Sequence, residues 1–294
     1  MGDPKGIGPE IIRKAFKRPG LLRLGNFVCL GDKTLLKGVP ASVIDIDYKT
    51  PGEGSLKFLE KGVTLIKSGI IDALVTAPLS KEAVSCHIRN FRGHTEYLAE
   101  AFGIKRFDMM FVRDKVRLSL VTRHVPLKDV PRLITKKTVL ASIELMQETL
   151  QQRFKIRRPR IAVLGLNPHA GEGGLLGRED AGQILPAIEM ARDQGIKAAG
   201  PFPADTFFCR HQGFDGIVAM YHDQGLVPLK GMYFKELVNF TAGLPFVRTS
   251  PAHGTAYDIA GKGIADPSSM IAAIKLACRL TLPLPGPPHQ EEGK

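Results

Sequence analysis

Three of the eight histidines close apolar runs that read as strands: LSLVTRH ends at His124, AVLGLNPH at His169 and IVAMYH at His222. Imidazole is the commonest side-chain ligand for divalent metals, and three protein ligands with an open position is the catalytic pattern for zinc. Three histidines in the same place relative to their strands could converge on one rim of a sheet. Hydrogen-bonded loop histidines would leave the same trace, and no helical HExxH supports the metal reading. Asp223, beside His222, is a candidate base, a candidate partner for the ring, or a turn cap.

The loop carrying His169 reads NPHAGEGGLLG from Asn167 to Gly177. Gly171, Gly173 and Gly177 space as GxGxxxG, one residue longer than the dinucleotide fingerprint. No acid ends a following strand, because Asp193 falls inside an expected helix. The candidate cofactor contacts are Gly171, Gly173 and Gly174, whose backbone N–H groups near a helix start would stabilise a phosphate; tight turning alone also explains them. Lys230 and Arg248 are residue types that hold phosphate, with Asn239 in the nearby VNF stretch. In FRGHTEYLAE, Thr95 reads as a helix cap with His94 at the helix start, and Pro9 of GDPKGIGPE as a first helical residue.

Alternating strands and helices must position these groups. Ile44, Ile46 and Tyr48 alternate with acids as in a half-exposed strand, and Leu56, Leu59, Val63 and Ile66 recur at helical spacing. DALVTAP reads as a short buried strand. MMFV and VRLSLVT form a hairpin candidate around Arg113, Asp114 and Lys115. Val139, Ile143, Met146, Leu150 and Phe154 mark a long amphipathic helix. Then come strand RIAVLGL, a helix from about Arg178 to Gln194 kinked at Pro186, and strand GIVAMY. This is an α/β chain with mostly parallel sheets, in which ligands gather beyond the carboxyl ends of strands.

The 294 residues suffice for two lobes with a cleft between them, 44% are hydrophobic, and no apolar run reaches a membrane span. No secretory leader is legible, so cytoplasm is expected. Cys29, Cys86, Cys209 and Cys278 show no CxxC pairing and are expected to be reduced and mostly buried. Lys and Arg total 41 against 29 acids, a net +12 that suits an anionic substrate. The dense RFKIRRPR stretch reads as a solvated connector, and no nucleic-acid-binding motif accompanies it. LPLPGPPHQEEGK, with His289, reads as a loose tail.

MGDPKGIGPE, TAPLSKE, GHTEYLAE, RHVPLKDV, GLNPHAGEGG, PADTFF, AMYHDQGLVPLK, GLPFVRTS and HGTAYDIAGKG, in this order from residue 1 to about 280, resemble the 4-hydroxythreonine-4-phosphate dehydrogenase family of vitamin B6 biosynthesis. The resemblance implies a homodimer of two α/β/α lobes with a fold similar to isocitrate and isopropylmalate dehydrogenases. It implies NAD, a divalent metal (zinc, with magnesium or cobalt as alternatives) and a site at the subunit interface. Carried over by motif, His124, His169 and His222 are the metal ligands, and His94, Thr95, Lys230, Asn239 and Arg248 the substrate contacts. The lobes are expected at residues 1–120 with 255–294, and at 121–254. The implied reaction is oxidative decarboxylation of 4-phosphooxy-L-threonine to 3-amino-2-oxopropyl phosphate, CO2 and NADH.

The chain departs from the family at two places. A short apolar strand usually precedes GDP, whereas this sequence opens at Met1, and Arg123 stands where a second threonine often precedes the ligand histidine. A related four-carbon acid-sugar phosphate such as D-threonate 4-phosphate is the alternative substrate. A three-histidine metal hydrolase would release product without forming NADH, and a nucleic-acid binder would show steeply salt-dependent binding.

Overall fold

The computed structural model describes residues 1–281 apart from 210 and 211. The proline-rich end and His289 lie outside the described residues. Among the described residues ten strands form two sheets. β1 (Val28–Gly31) and β2 (Ser42–Asp45) pair in parallel as a small sheet. The large sheet holds β3 (Ala73–Val75), β4 (Asp108–Arg113), β5 (Val116–Leu120), β6 (Arg160–Leu164), β7 (Lys197–Phe202), β8 (Gly216–Ala219), β9 (Val238–Ala242) and β10 (Val247–Pro251), in the order β3-β10-β9-β4-β5-β8-β6-β7. The sheet is mixed: β5, β8, β6 and β7 run parallel, while β10-β9, β9-β4 and β4-β5 are antiparallel. The hairpin is the local cause, since a two-residue link at Asp114 and Lys115, with Asp114 at φ 52°, can join only antiparallel strands.

The helices are α1 (Gly8–Phe16), α2 (Pro51–Lys67), α3 (Lys81–Ser85), α4 (His94–Ala101), α5 (Val130–Leu133), α6 (Lys136–Gln152), α7 (Leu185–Asp193), α8 (Ala204–Phe207), α9 (His222–Tyr233) and α10 (Ser268–Thr281). α6, α7 and α10 cover one face of the large sheet with Val139, Ile143, Met146, Leu150, Ile188, Ala191, Ala273 and Leu276. Leu226 and Leu229 of α9 and Phe207 of α8 cover the other. Each large aliphatic side chain so buried contributes about 1.5–3 kcal/mol. Helices thus cover both faces of the sheet, as the alternation of strands and helices requires. Gly216 and Gly225 set the helix distances: a Cβ at Gly216 would meet Met146 Sδ at 2.7 Å, and one at Gly225 would meet Leu118 Cδ2 at 2.6 Å.

Several local expectations change. The helix expected from about Arg178 to Gln194 runs as a π-helical turn over Asp180–Ile184 that continues into α7, with Pro186 in the first turn of α7. RFKIRRPR is not wholly solvated, because Arg153 Nη2 donates to Leu244 O at 2.9 Å and Phe154 and Ile156 pack on the core. Cys86 and Cys209 are exposed, and Cys29 and Cys278 half-buried, all four as free thiols. Residues 1 to 3 run between the two sheets: the Met1 amine donates to Leu30 O at 2.8 Å and Asp3 N–H to Pro78 O at 2.9 Å. No helix among the described residues is long and apolar enough to cross a membrane.

Candidate functional site

β5, β8 and β6 are neighbours and run the same way, so the connections bearing His124, His222 and His169 all leave one edge of the sheet. Strand spacing puts the two outer strands of this trio about 10 Å apart. Two of the rings meet: the His124 and His222 centroids are 5.5 Å apart. Burial, then Lys81 and His222, lower the His124 pKa, which favours the neutral imidazole that can bind a metal. His222 opens α9, and its Nδ1 bonds Asp223 Oδ1 at 2.6 Å. An ionised carboxylate only accepts, so this contact fixes the proton on Nδ1 and leaves the lone pair on Nε2.

His169 is held differently. Its Nδ1 lies 2.9 Å from Glu172 Oε1, and its side chain is 60% exposed. The Glu172 contact raises its pKa. The backbone from His169 to Gly173 is left-handed throughout, with φ of 52°, 55°, 82°, 43° and 67°. Three of these residues are not glycine, and each such conformation costs about 1–3 kcal/mol, so the surroundings must hold it. Asp180 does so: fully buried, it accepts from Leu166 N–H at 2.7 Å, Asn167 N–H at 3.1 Å and Asn167 Nδ2 at 2.9 Å. Gln224 ties the two strand ends, donating to Gly165 O at 2.6 Å and accepting from Met220 N–H at 2.7 Å. Gly171 is packed against Asp180, whereas Gly173 and Gly174 have open space where a side chain would stand.

The donor set fits a divalent ion in part. Two imidazoles face one another, and two of the three histidines carry a carboxylate on Nδ1, the usual support for a metal-binding ring. Among the described residues, no three His, Cys, Asp or Glu side chains gather as one metal-binding group. His169 therefore stands on the same rim without joining the pair inside a single chain.

A buried cation lies further along the same sheet. Arg248 on β10 is 2% exposed, and burial lowers its pKa to about 10. Its guanidinium donates to Thr76 at 2.7 Å, Thr241 at 3.1 Å and Thr95 at 3.5 Å, forms no ion pair among the described residues, and leaves Nε without a partner. Thr241 pairs with Met109, Met110 with Ser119, and Leu120 with Ala219, so the row carrying Arg248 runs into the ends of the histidine-bearing strands. Asn239, two residues before Thr241, has a buried Oδ1 with no partner. His94 is held neutral by burial and by the charge of Arg248, the amino terminus and Lys81. Lys230 lies two turns along α9 from His222, half-buried and without an ion pair among the described residues.

A third feature was not legible in the sequence. Asp108, 5% exposed, lies 3.6 Å from Arg123 Nη1, and Arg123 also donates to Phe107 O at 3.1 Å and covers the Phe107 ring. Burial outweighs that partner and raises the Asp108 pKa to about 7. Only the departure at Arg123 hinted at a local rearrangement; nothing in the sequence pointed to Asp180, Gln224 or Thr76.

Residues 38–277 match the family model described as pyridoxal phosphate biosynthetic protein PdxA. A protein of Sulfurihydrogenibium sp. named 4-hydroxythreonine-4-phosphate dehydrogenase is 40% identical, over 95% of this chain and 96% of its own. The crystal structure of the enzyme of that name from Klebsiella pneumoniae is 33% identical with a TM-score of 0.81, covering 96% of each chain. Isocitrate dehydrogenase from Methylococcus capsulatus shares the fold at 16% identity and a TM-score of 0.50, over 92% of this chain and 81% of that one. With the ordered motifs, the shared fold and a match over most of its length, the chain belongs to the PdxA family of pyridoxal phosphate biosynthetic proteins.

Proposed function

We propose that the chain oxidises 4-phosphooxy-L-threonine with NAD, giving 3-amino-2-oxopropyl phosphate, CO2 and NADH. Relatives that bear the name 4-hydroxythreonine-4-phosphate dehydrogenase support the substrate. The observation that carries the reading is Arg248, a buried guanidinium with three hydroxyl partners and no ion pair among the described residues, on the row leading to the histidine rim. Glu96 bears on the guanidinium electrostatically without forming an ion pair; a buried cation without a close counter-charge is unfavourable, and an anionic substrate would relieve it.

In this reading Arg248, Thr95, His94, Asn239 and Lys230 bind the substrate's anionic groups and so place its C3 hydroxyl at the rim. His124, His222 and His169 would hold a divalent ion, which when bound supplies Lewis-acid stabilisation of charge on the substrate oxygen. Asp223 keeps the proton on His222 Nδ1, and Glu172 does the same for His169. The C3 hydride passes to NAD, the hydroxyl proton leaves to solvent, and the resulting β-keto acid loses CO2, the enolate left behind taking up one proton from solvent at the α-carbon. Gly173 and Gly174, open to solvent, are the loop positions a dinucleotide phosphate could approach. A homodimer with the site at the subunit interface, and two lobes with crossings near residues 121 and 255, belong to the same reading.

The test is NADH formation from 4-phosphooxy-L-threonine with and without a chelator, in wild type and His169→Ala. The variant is expected to lose metal-dependent NADH formation and bound metal while its melting temperature is kept. Full activity with metal still bound would overturn the ligand assignment.

A further inference from the structure

The TAPLSKE stretch helps carry the family resemblance, yet its lysine has no part in the reading above. The chain leaves β3, passes Thr76, and enters α3, whose N-cap Ser80 accepts from Ala83 N–H at 3.2 Å. Lys81 is the first residue of that helix. It is exposed, and its ammonium forms no ion pair among the described residues.

Three observations place Lys81 at the site. Thr76, five residues earlier on the same connection, holds Arg248 at 2.7 Å. The Lys81 charge bears on both His94 in the anion pocket and His124 at the rim. Gly93, the N-cap of α4, leaves room for it: a Cβ there would lie 3.2 Å from Lys81 Cε and 3.6 Å from Nζ, and its φ of +133° is one that other residues rarely adopt. The lysine thus passes over the start of α4 at Gly93, where Glu96 Oε2 lies 3.5 Å from the same Cβ position.

The ammonium adds positive charge beside His94 and His124; Glu96, at the same helix start, offsets part of it without forming an ion pair, and a bound anion would offset it further. We propose that Lys81 contacts the substrate, its ammonium holding one of the two anionic groups, phosphate or carboxylate, while Arg248 holds the other. This rests on the proposed function for the identity of the substrate. Two cations at separate points would fix both ends of a short dianion, which is how orientation is gained before hydride transfer.

The test is calorimetric binding of 4-phosphooxy-L-threonine without NAD, together with steady-state NADH kinetics, for wild type, Lys81→Met and Lys81→Arg. Loss of one charge-assisted contact predicts about 10- to 100-fold weaker substrate binding in Lys81→Met, with partial recovery in Lys81→Arg. The KM for NAD should stay unchanged, which a general structural defect would not allow. Inhibition by inorganic phosphate assigns the group: weakened in Lys81→Met if the lysine holds phosphate, unchanged if it holds carboxylate. Wild-type substrate affinity in a folded Lys81→Met would overturn the proposal. Should that variant melt early, acylation of wild-type protein followed by mass spectrometry decides, since substrate must slow modification of Lys81 and equal labelling would also overturn it. Binding without NADH formation in wild type would defeat the proposed function and leave the lysine to the binding result; no binding at all would defeat both.

Discussion

Arg248 and Asp108 show opposite uses of a buried charge. Arg248 rests two of its three nitrogens on threonines, leaves Nε without a partner and forms no ion pair among the described residues, the state of a receptor awaiting an anion. Asp108 has a counter-ion 3.6 Å away, yet burial still dominates and lifts its pKa from 3.8 to about 7. A carboxyl whose pKa is raised on folding binds more protons in the folded state, so it lowers stability as pH climbs from the unfolded value toward the folded one. Asp108→Asn removes that titration. Its loss of unfolding free energy between pH 5 and pH 7 should be smaller than that of wild type by about 1–3 kcal/mol, measured by denaturant titration. Identical pH slopes in the two proteins would show that Asp108 ionises normally.

At the scale of an element, the loop after β6 depends on one carboxylate. Five consecutive left-handed residues carry His169, and Asp180 anchors the segment entering them through Leu166 and Asn167. Asp180→Ala leaves two backbone N–H groups without their acceptor, and should cost about 2–4 kcal/mol of stability. It should also lower NADH formation more than stability alone explains, because the loop no longer holds His169 at the rim. Asp180→Asn, able to accept but not to carry charge, should recover part of both. Retention of full activity by a folded Asp180→Ala would mean that the loop keeps its form without the anchor.

At the scale of the molecule, the net charge of +12 bears on an anionic substrate before any contact forms. Raising ionic strength from about 0.05 to 0.5 M shortens the Debye length to a few ångströms. The KM for 4-phosphooxy-L-threonine should then rise severalfold, whereas a neutral osmolyte should leave it unchanged. A KM indifferent to salt would confine the electrostatic attraction to the buried contacts.

The α/β class was legible because apolar periodicity reports directly on which face a residue buries, and each histidine was legible because it ends a strand-like run. Val139, Ile143, Met146 and Leu150 fall on the buried face of α6 as their spacing requires. Pairing between distant strands leaves no such periodic trace. That β8 lies between β5 and β6, that His222 therefore meets His124, and that the row from Arg248 reaches their strand ends follow from sheet order and register. The supports of the site, Asp180, Gln224, Thr76 and the Arg123–Asp108 pair, were equally invisible, because a polar residue's worth depends on which backbone groups it finds after folding. Local sequence thus determined the elements and the residue types available for chemistry, since both depend on neighbours along the chain. Only the tertiary structure decided which of those residues share a site, since that depends on contacts between segments tens to hundreds of residues apart.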